Sequence, residues 1–192
     1  MFNTLYKKCL QLAAHKSSKY YLALVSFIES SFFPIPPDVM LIPMVLMHPS
    51  RAWLYALVAT ICSVLGGIFG YLIGAFSYEQ FAQPILYTLG KEAQMASFSQ
   101  KYNEVGLWAV ITAGVSPIPF KVITIMSGAT NLNFVVFVGA SLVSRGIRFF
   151  IVAGLLNFYG HEIKTFIEGY LNWVFMLFVI LLIFGFIGIK LI

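Results

Sequence analysis

The chain has 192 residues, 60% of them apolar and 10% charged, with a mean hydropathy of +0.89. Soluble domains average about 45–50% apolar and about 25% charged, so a water-soluble globule, a disordered chain, a coiled coil and a disulfide scaffold are all excluded. The 12 Lys and Arg outnumber the 7 Asp and Glu, but they lie scattered between apolar runs. They form no basic stripe, so no nucleic-acid partner is expected. Cys9 precedes the apolar runs and Cys62 sits inside one. At different membrane depths they are read as unpaired and without a redox role.

In residues 2–20, Phe2, Leu5, Tyr6, Cys9, Leu10 and Ala13 recur at helical spacing, with Lys7, Lys8 and Gln11 largely opposite. This predicts a basic amphipathic helix, domain 1–20, lying on a membrane surface. A signal peptide is the competing reading, but the apolar run 20–28 meets Glu29 and no small-x-small cleavage site follows. Residues 20–47 are apolar but broken by Glu29, by Pro34, Pro36 and Pro37, by Asp38 and by Pro43. Proline removes an amide donor and clashes with the preceding turn, so no straight helix crosses here.

Residues 52–78 carry no charge between Arg51 and Glu79 and predict the first spanning helix. Gly66, Gly70 and Gly74 repeat every four residues along it. They form a face that another helix can approach closely, a packing role preferred here over lining a lipid or ion path. The more polar residues 79–104, punctuated by Pro84 and Gly90, read as a surface-lying connector. Residues 105–130 are again apolar and broken, now by Pro117 and Pro119 with Lys121 just after. A second long helix over 132–159 contains Arg145 and Arg148, and a charge-free span over 169–189 ends at Lys190.

The two broken segments align with each other at an offset of 83 residues. Pro34, Ile35, Pro36, Val39 and Ile42 fall on Pro117, Ile118, Pro119, Val122 and Ile125, and Asp38 falls opposite Lys121. The long helices align at an offset of 80, Gly66 with Gly146, Phe69 with Phe149 and Gly74 with Gly154. If each broken segment re-enters and returns, each unit crosses once, and two units in series have opposite orientations. The expected fold is therefore an all-α integral membrane protein with an inverted repeat of re-entrant hairpin plus spanning helix. Repeat 1 covers about 21–78, the connector 79–104 and repeat 2 about 105–160, with a further membrane helix in 161–192. Inverted repeats of this kind place broken helices face to face near the midplane, where cargo binds. The Lys-rich N-terminus and Arg51 would lie on the cytoplasmic side.

Glu29, Asp38, Lys121, Arg145 and Arg148 are ionisable groups within apolar stretches. Each costs about 2.5–3.5 kcal/mol at a helix centre, or roughly 12–17 kcal/mol for the set exposed to lipid. They must pair, snorkel or face water. Two acids and three bases allow two pairs with one cation left over. The spacing of three puts Arg145 and Arg148 on one helix face. Their forks suit carboxylate or phosphate oxygens. Static pairing with Glu29 and Asp38, and binding of an anion or lipid phosphate, both stay open. A carboxylate in an apolar site also permits proton coupling.

No enzyme chemistry is expected. His15, His48 and His161 are isolated and no metal-ligand spacing occurs. There is no phosphate loop and no nucleophile elbow, and Ser116 or Ser127 beside Lys121 makes a weak dyad. No cofactor is expected.

Glu29 followed by Pro34-Ile-Pro-Pro-Asp38, then Ser116-Pro-Ile-Pro-Phe-Lys121 and Ser144-Arg-Gly-Ile-Arg-Phe149, resembles the DedA family of VTT-domain membrane proteins, its YqaA-like branch most of all. The resemblance covers roughly residues 20–160. It implies two re-entrant hairpins facing one another and translocation of polyprenyl phosphate or phospholipid headgroups, in some members with proton coupling. Glu29 and Asp38 match the family's membrane-embedded acids. Lys121 stands where the family commonly has Arg. The family's other Arg, just before the second proline turn, is replaced in a region filled by Ala113, Gly114 and Val115. The Glu29–Asp38 interval is also shorter than in the better-known branch.

The leading expectation is thus a bacterial inner-membrane, multi-pass lipid transporter, flippase or scramblase whose partners are membrane lipids with anionic headgroups. Lys121, Arg145 and Arg148 would hold the phosphate. Glu29 and Asp38 would balance them or carry a proton, and Pro34, Pro36, Pro37, Pro117 and Pro119 would hinge the hairpins. A small-anion or osmolyte transporter and a non-transporting assembly factor are the alternatives. The oligomeric state stays open.

Overall fold

The computed structural model describes residues 17–31, 36–116 and 119–160. The amphipathic segment up to residue 16 with Cys9, the prolines Pro34 and Pro117, and the span expected over 169–189 lie outside the described residues. Among the described residues the chain is helical and contains no strand.

Helix α1 covers Ser18–Ser31 and α2 covers Asp38–Met47. A single 3₁₀ turn, Pro49–Arg51, leads into α3, Ala52–Ser77. A π turn, Tyr78–Ala82, joins α3 to α4, Gln83–Thr88. Then follow α5, Glu92–Val115, α6, Phe120–Ala129, and α7, Phe134–Gly160. A ten-residue helix beginning just after a proline therefore precedes a long apolar helix twice, at α2–α3 and at α6–α7.

The boundaries have local causes. Pro37 and Pro119 have φ of −64° and −60°, suited to a helix start, and their carbonyls accept the first amides of α2 and α6. Pro43 sits inside α2 and removes one bond to Val39, yet the helix continues. Pro84 lies inside the continuous rod from Pro49 to Thr88, directly after the π turn, whose wider ladder accommodates the proline ring and its missing amide. Gly90 (φ +64°) ends α4 in the left-handed region. Asn133 Oδ1 caps α7 by accepting from the amides of Val135 and Val136 at 3.0 and 3.2 Å.

The connector differs from its expected form. Residues 79–88 continue the α3 rod, and α5 starts at Glu92 and runs unbroken into the apolar stretch to Val115. Polar residues alone do not end a helix. The backbone breaks only where Gly90 turns it.

Helices α3 and α7 run antiparallel. Trp53 stacks on Phe150, Thr60 lies beside Gly146, Ser63 bonds Arg145, and Tyr71 meets Phe134 and Phe137. One apolar core joins α1, α2, the first half of α3 and the last half of α7 around Leu41, Met44, Ala56 and Phe149. A second joins α5, α6 and the first half of α7 around Val110, Phe120 and Phe137. Neighbouring helices come close to the glycine stripe. A Cβ on Gly66 would strike the Phe27 carbonyl of α1, one on Gly70 the Thr124 hydroxyl, and one on Gly74 the Ile125 carbonyl of α6.

The outward surface is apolar. Leu54, Leu57, Ile61, Leu65, Phe69 and Leu72 line the exposed side of α3, and Leu142, Val143, Ile147 and Ile151 that of α7. Serines, threonines and an arginine are buried instead. A soluble protein does the reverse, whereas small and polar residues at helix contacts and apolar ones outside suit lipid. The rod from Pro49 to Thr88 has 40 residues and α7 has 27. At about 1.5 Å per residue each exceeds the roughly 30 Å hydrocarbon core.

Candidate functional site

The site lies where the middles of α3 and α7 cross. Arg145 is 1% exposed. Its Nη2 donates to Glu29 Oε2 at 2.6 Å and its Nε donates to Ser63 Oγ at 2.6 Å. Ser63 and Ser30 hydroxyls are 2.6 Å apart, and Ser30 Oγ donates to Glu29 Oε2 at 3.1 Å. The proton order that satisfies every atom runs from Arg145 Nε to Ser63, to Ser30, to Glu29, closing a ring. The rings of Phe120 and Phe149 cover the guanidinium, with centroids 4.9 and 4.8 Å from Cζ. Desolvation of a buried charge is offset here by a countercharge, hydroxyl partners and aromatic faces at once.

One turn along α7, Arg148 Nη2 donates to Asp38 Oδ2 at 2.6 Å, and Nη1 donates to the Ser116 carbonyl at 3.0 Å. The side chains of Arg148 and Asp38 are 18% and 20% exposed. Asp38 Oδ1 is buried and has no hydrogen-bond partner among the described residues. Arg148 thus ties the start of α2 to the end of α5, reaching both proline-broken segments from one side chain.

Of the residues expected at the site, the structure brings together Glu29, Asp38, Arg145 and Arg148. Two acids and two arginines make a neutral quartet. Lys121, in the first turn of α6, is half-buried and makes no ion pair among the described residues. It is the left-over cation, and Asp38, its counterpart in the sequence alignment, is bound to Arg148 instead. Pro36, Pro37 and Pro119 flank the quartet at the starts of α2 and α6. Ser127 does not serve Lys121, because its hydroxyl lies 3.0 Å from that of Tyr102.

Sequence reasoning missed Ser30, Ser63, Phe120 and Phe149. The available signal was Thr60 and Ser63 inside the charge-free run 52–78, one turn before the glycine stripe. Polar residues there need a buried partner. Among the described residues no cluster of His, Cys, Asp and Glu could hold a metal.

A bundle with an apolar exterior, two long apolar helices and a charged quartet at their crossing is that of a helical membrane protein. Its sequence matches the VTT domain over residues 35–158, and the chain belongs to that family, the DedA family. It is 40% identical over 162 residues to an uncharacterized protein of Haemophilus influenzae, covering 84% of each chain. A homologue in Histophilus somni is 36% identical over 162 residues, again 84% of each. An uncharacterized protein of Methanocaldococcus jannaschii is 29% identical over 126 residues, 65% of this chain and 75% of that one. No solved structure matches significantly.

Proposed function

We propose that this protein moves phosphate-bearing lipid headgroups, of polyprenyl phosphate or phospholipid, between the leaflets of a bacterial inner membrane. Family membership supports a membrane transporter. The observation that carries the finer reading is the Arg148–Asp38 pair, a partly exposed guanidinium at the junction of two broken helices inside an apolar bundle. A guanidinium fork matches phosphate as well as carboxylate. A headgroup arriving there would exchange for Asp38 while its acyl chains stay in lipid, and Lys121 would add the charge that the quartet leaves unpaired. The breaks before α2 and α6 would act as re-entrant hinges, and the antiparallel course of α3 and α7 fits two units of opposite orientation. A proton on Asp38 would release Arg148, which gives a route to proton coupling.

The test is reconstitution in liposomes, following transbilayer movement of headgroup-labelled phospholipid and polyprenyl phosphate with and without a pH gradient. Movement lost in Arg148→Ala supports the reading, and gradient dependence separates transporter from scramblase. Uptake of a soluble anion without lipid movement would favour a small-anion transporter. The closed quartet itself favours one further reading, an assembly factor with static ion pairs, which predicts no movement of either kind.

A further inference from the structure

We infer that the two ion pairs divide the work: Arg145–Glu29 is a permanent clasp that never meets the cargo, and Arg148–Asp38 is the exchangeable pair at which an incoming phosphate replaces a carboxylate. This rests on the phosphate-headgroup reading above and narrows it, since spacing alone gave both arginines the same role.

Three observations separate the pairs. The Arg145 guanidinium lies against the rings of both Phe120 and Phe149, and its Nε and Nη2 belong to a closed hydrogen-bonded ring. An arriving oxygen would have to displace an aromatic ring or break that ring of bonds in a low-dielectric site, where an orphaned charge is costly. Among the described residues no aromatic ring covers Arg148, and its side chain is 18% exposed against 1% for Arg145. Finally, Asp38 is incompletely satisfied. Its Oδ1 is buried without a partner among the described residues, whereas Glu29 Oε2 accepts two bonds. A buried acceptor without a donor weakens the bound state of that carboxylate. Asp38 is therefore the acid more easily displaced. Arg148 would still be held by the Ser116 carbonyl through Nη1 during the exchange. Arg145 acts as a positioning residue, because it fixes the face of α7 that carries Arg148 one turn later.

The experiment titrates full-length protein in an uncharged detergent with two probes, short-chain phosphatidic acid and inorganic phosphate, by calorimetry at constant pH. Thermal melts run in parallel. Asp38→Asn keeps the shape of the side chain but removes the competing charge, and is expected to tighten phosphatidic acid binding about tenfold if Arg148 is free in about a tenth of wild-type molecules. Arg148→Lys is expected to lose most of that binding. Ser63→Ala opens the clasp ring without changing charge, and is expected to lower the melting temperature while leaving the dissociation constant within about twofold. Equal affinity of wild type and Asp38→Asn, or tightening by Glu29→Gln in place of Asp38→Asn, overturns the division of labour and leaves the phosphate reading intact. No binding of either probe by wild type and Asp38→Asn alike overturns both. Tightening in Asp38→Asn supports the exchange, and whether it is seen for phosphatidic acid alone or for both probes tells a lipid source from the phosphate group itself.

Discussion

Arg145 and Glu29, 116 residues apart, are joined twice: by a direct 2.6 Å contact between Nη2 and Oε2, and through the hydroxyls of Ser63 and Ser30. The double link gathers α1, α3 and α7 at one point. Breaking one partner of such a pair leaves a buried charge unpaired, at a cost of about 3–5 kcal/mol. Glu29→Ala and Arg145→Ala should therefore each lower the melting temperature strongly. The double replacement Glu29→Gln with Arg145→Met should recover much of the loss, because neither charge is then buried alone. Melts in detergent, read by circular dichroism, check this.

The pairing of Asp38 with Arg148 rather than Lys121 makes a separate prediction. A double-mutant cycle on Asp38 and Arg148 should give a coupling of about 1–3 kcal/mol, while a cycle on Asp38 and Lys121 should stay within about 0.5 kcal/mol. Exchanging Asp38 and Lys121 in one variant should not restore the stability of the single changes. Rescue by that exchange would place the partner wrongly.

Helices α3 and α6 interlock by reciprocal glycines. Gly74 of α3 faces the Ile125 carbonyl, and Gly128 of α6 faces the Tyr71 carbonyl, each too close for a Cβ. Gly74→Ala and Gly128→Ala must separate the helices and should reduce folded yield and melting temperature. Gly139 has nothing within 4 Å of the same position among the described residues. Gly139→Ala, which also gains helix propensity, should not lower the melting temperature.

The rod from Pro49 to Thr88 places its two ends about 60 Å apart. If Arg51 is on the cytoplasmic side, as the charge distribution predicts, Gly90 would lie on the opposite one. Gly90→Cys should react with a membrane-impermeant maleimide added outside intact cells, and Arg51→Cys only after the cells are permeabilised. The reverse pattern would invert the topology.

Much of this protein is written locally. The long apolar runs, the proline breaks and the glycines every four residues depend on neighbours a few positions away, and they gave the helices at 52–78 and 132–159 nearly as they stand. Charge counting is equally local: a charge buried in an apolar chain must find a countercharge, so two acids and three bases allow two pairs with one cation over, and two pairs are seen among the described residues. Which cation was left over could not be read, because Glu29 and Arg145 share no local pattern. Only the crossing of α3 and α7 brings Ser63, Ser30, Phe120 and Phe149 around one guanidinium and leaves the next, three residues away, partly open. Spacing makes Arg145 and Arg148 equivalent, and tertiary packing makes them different by desolvating one and exposing the other.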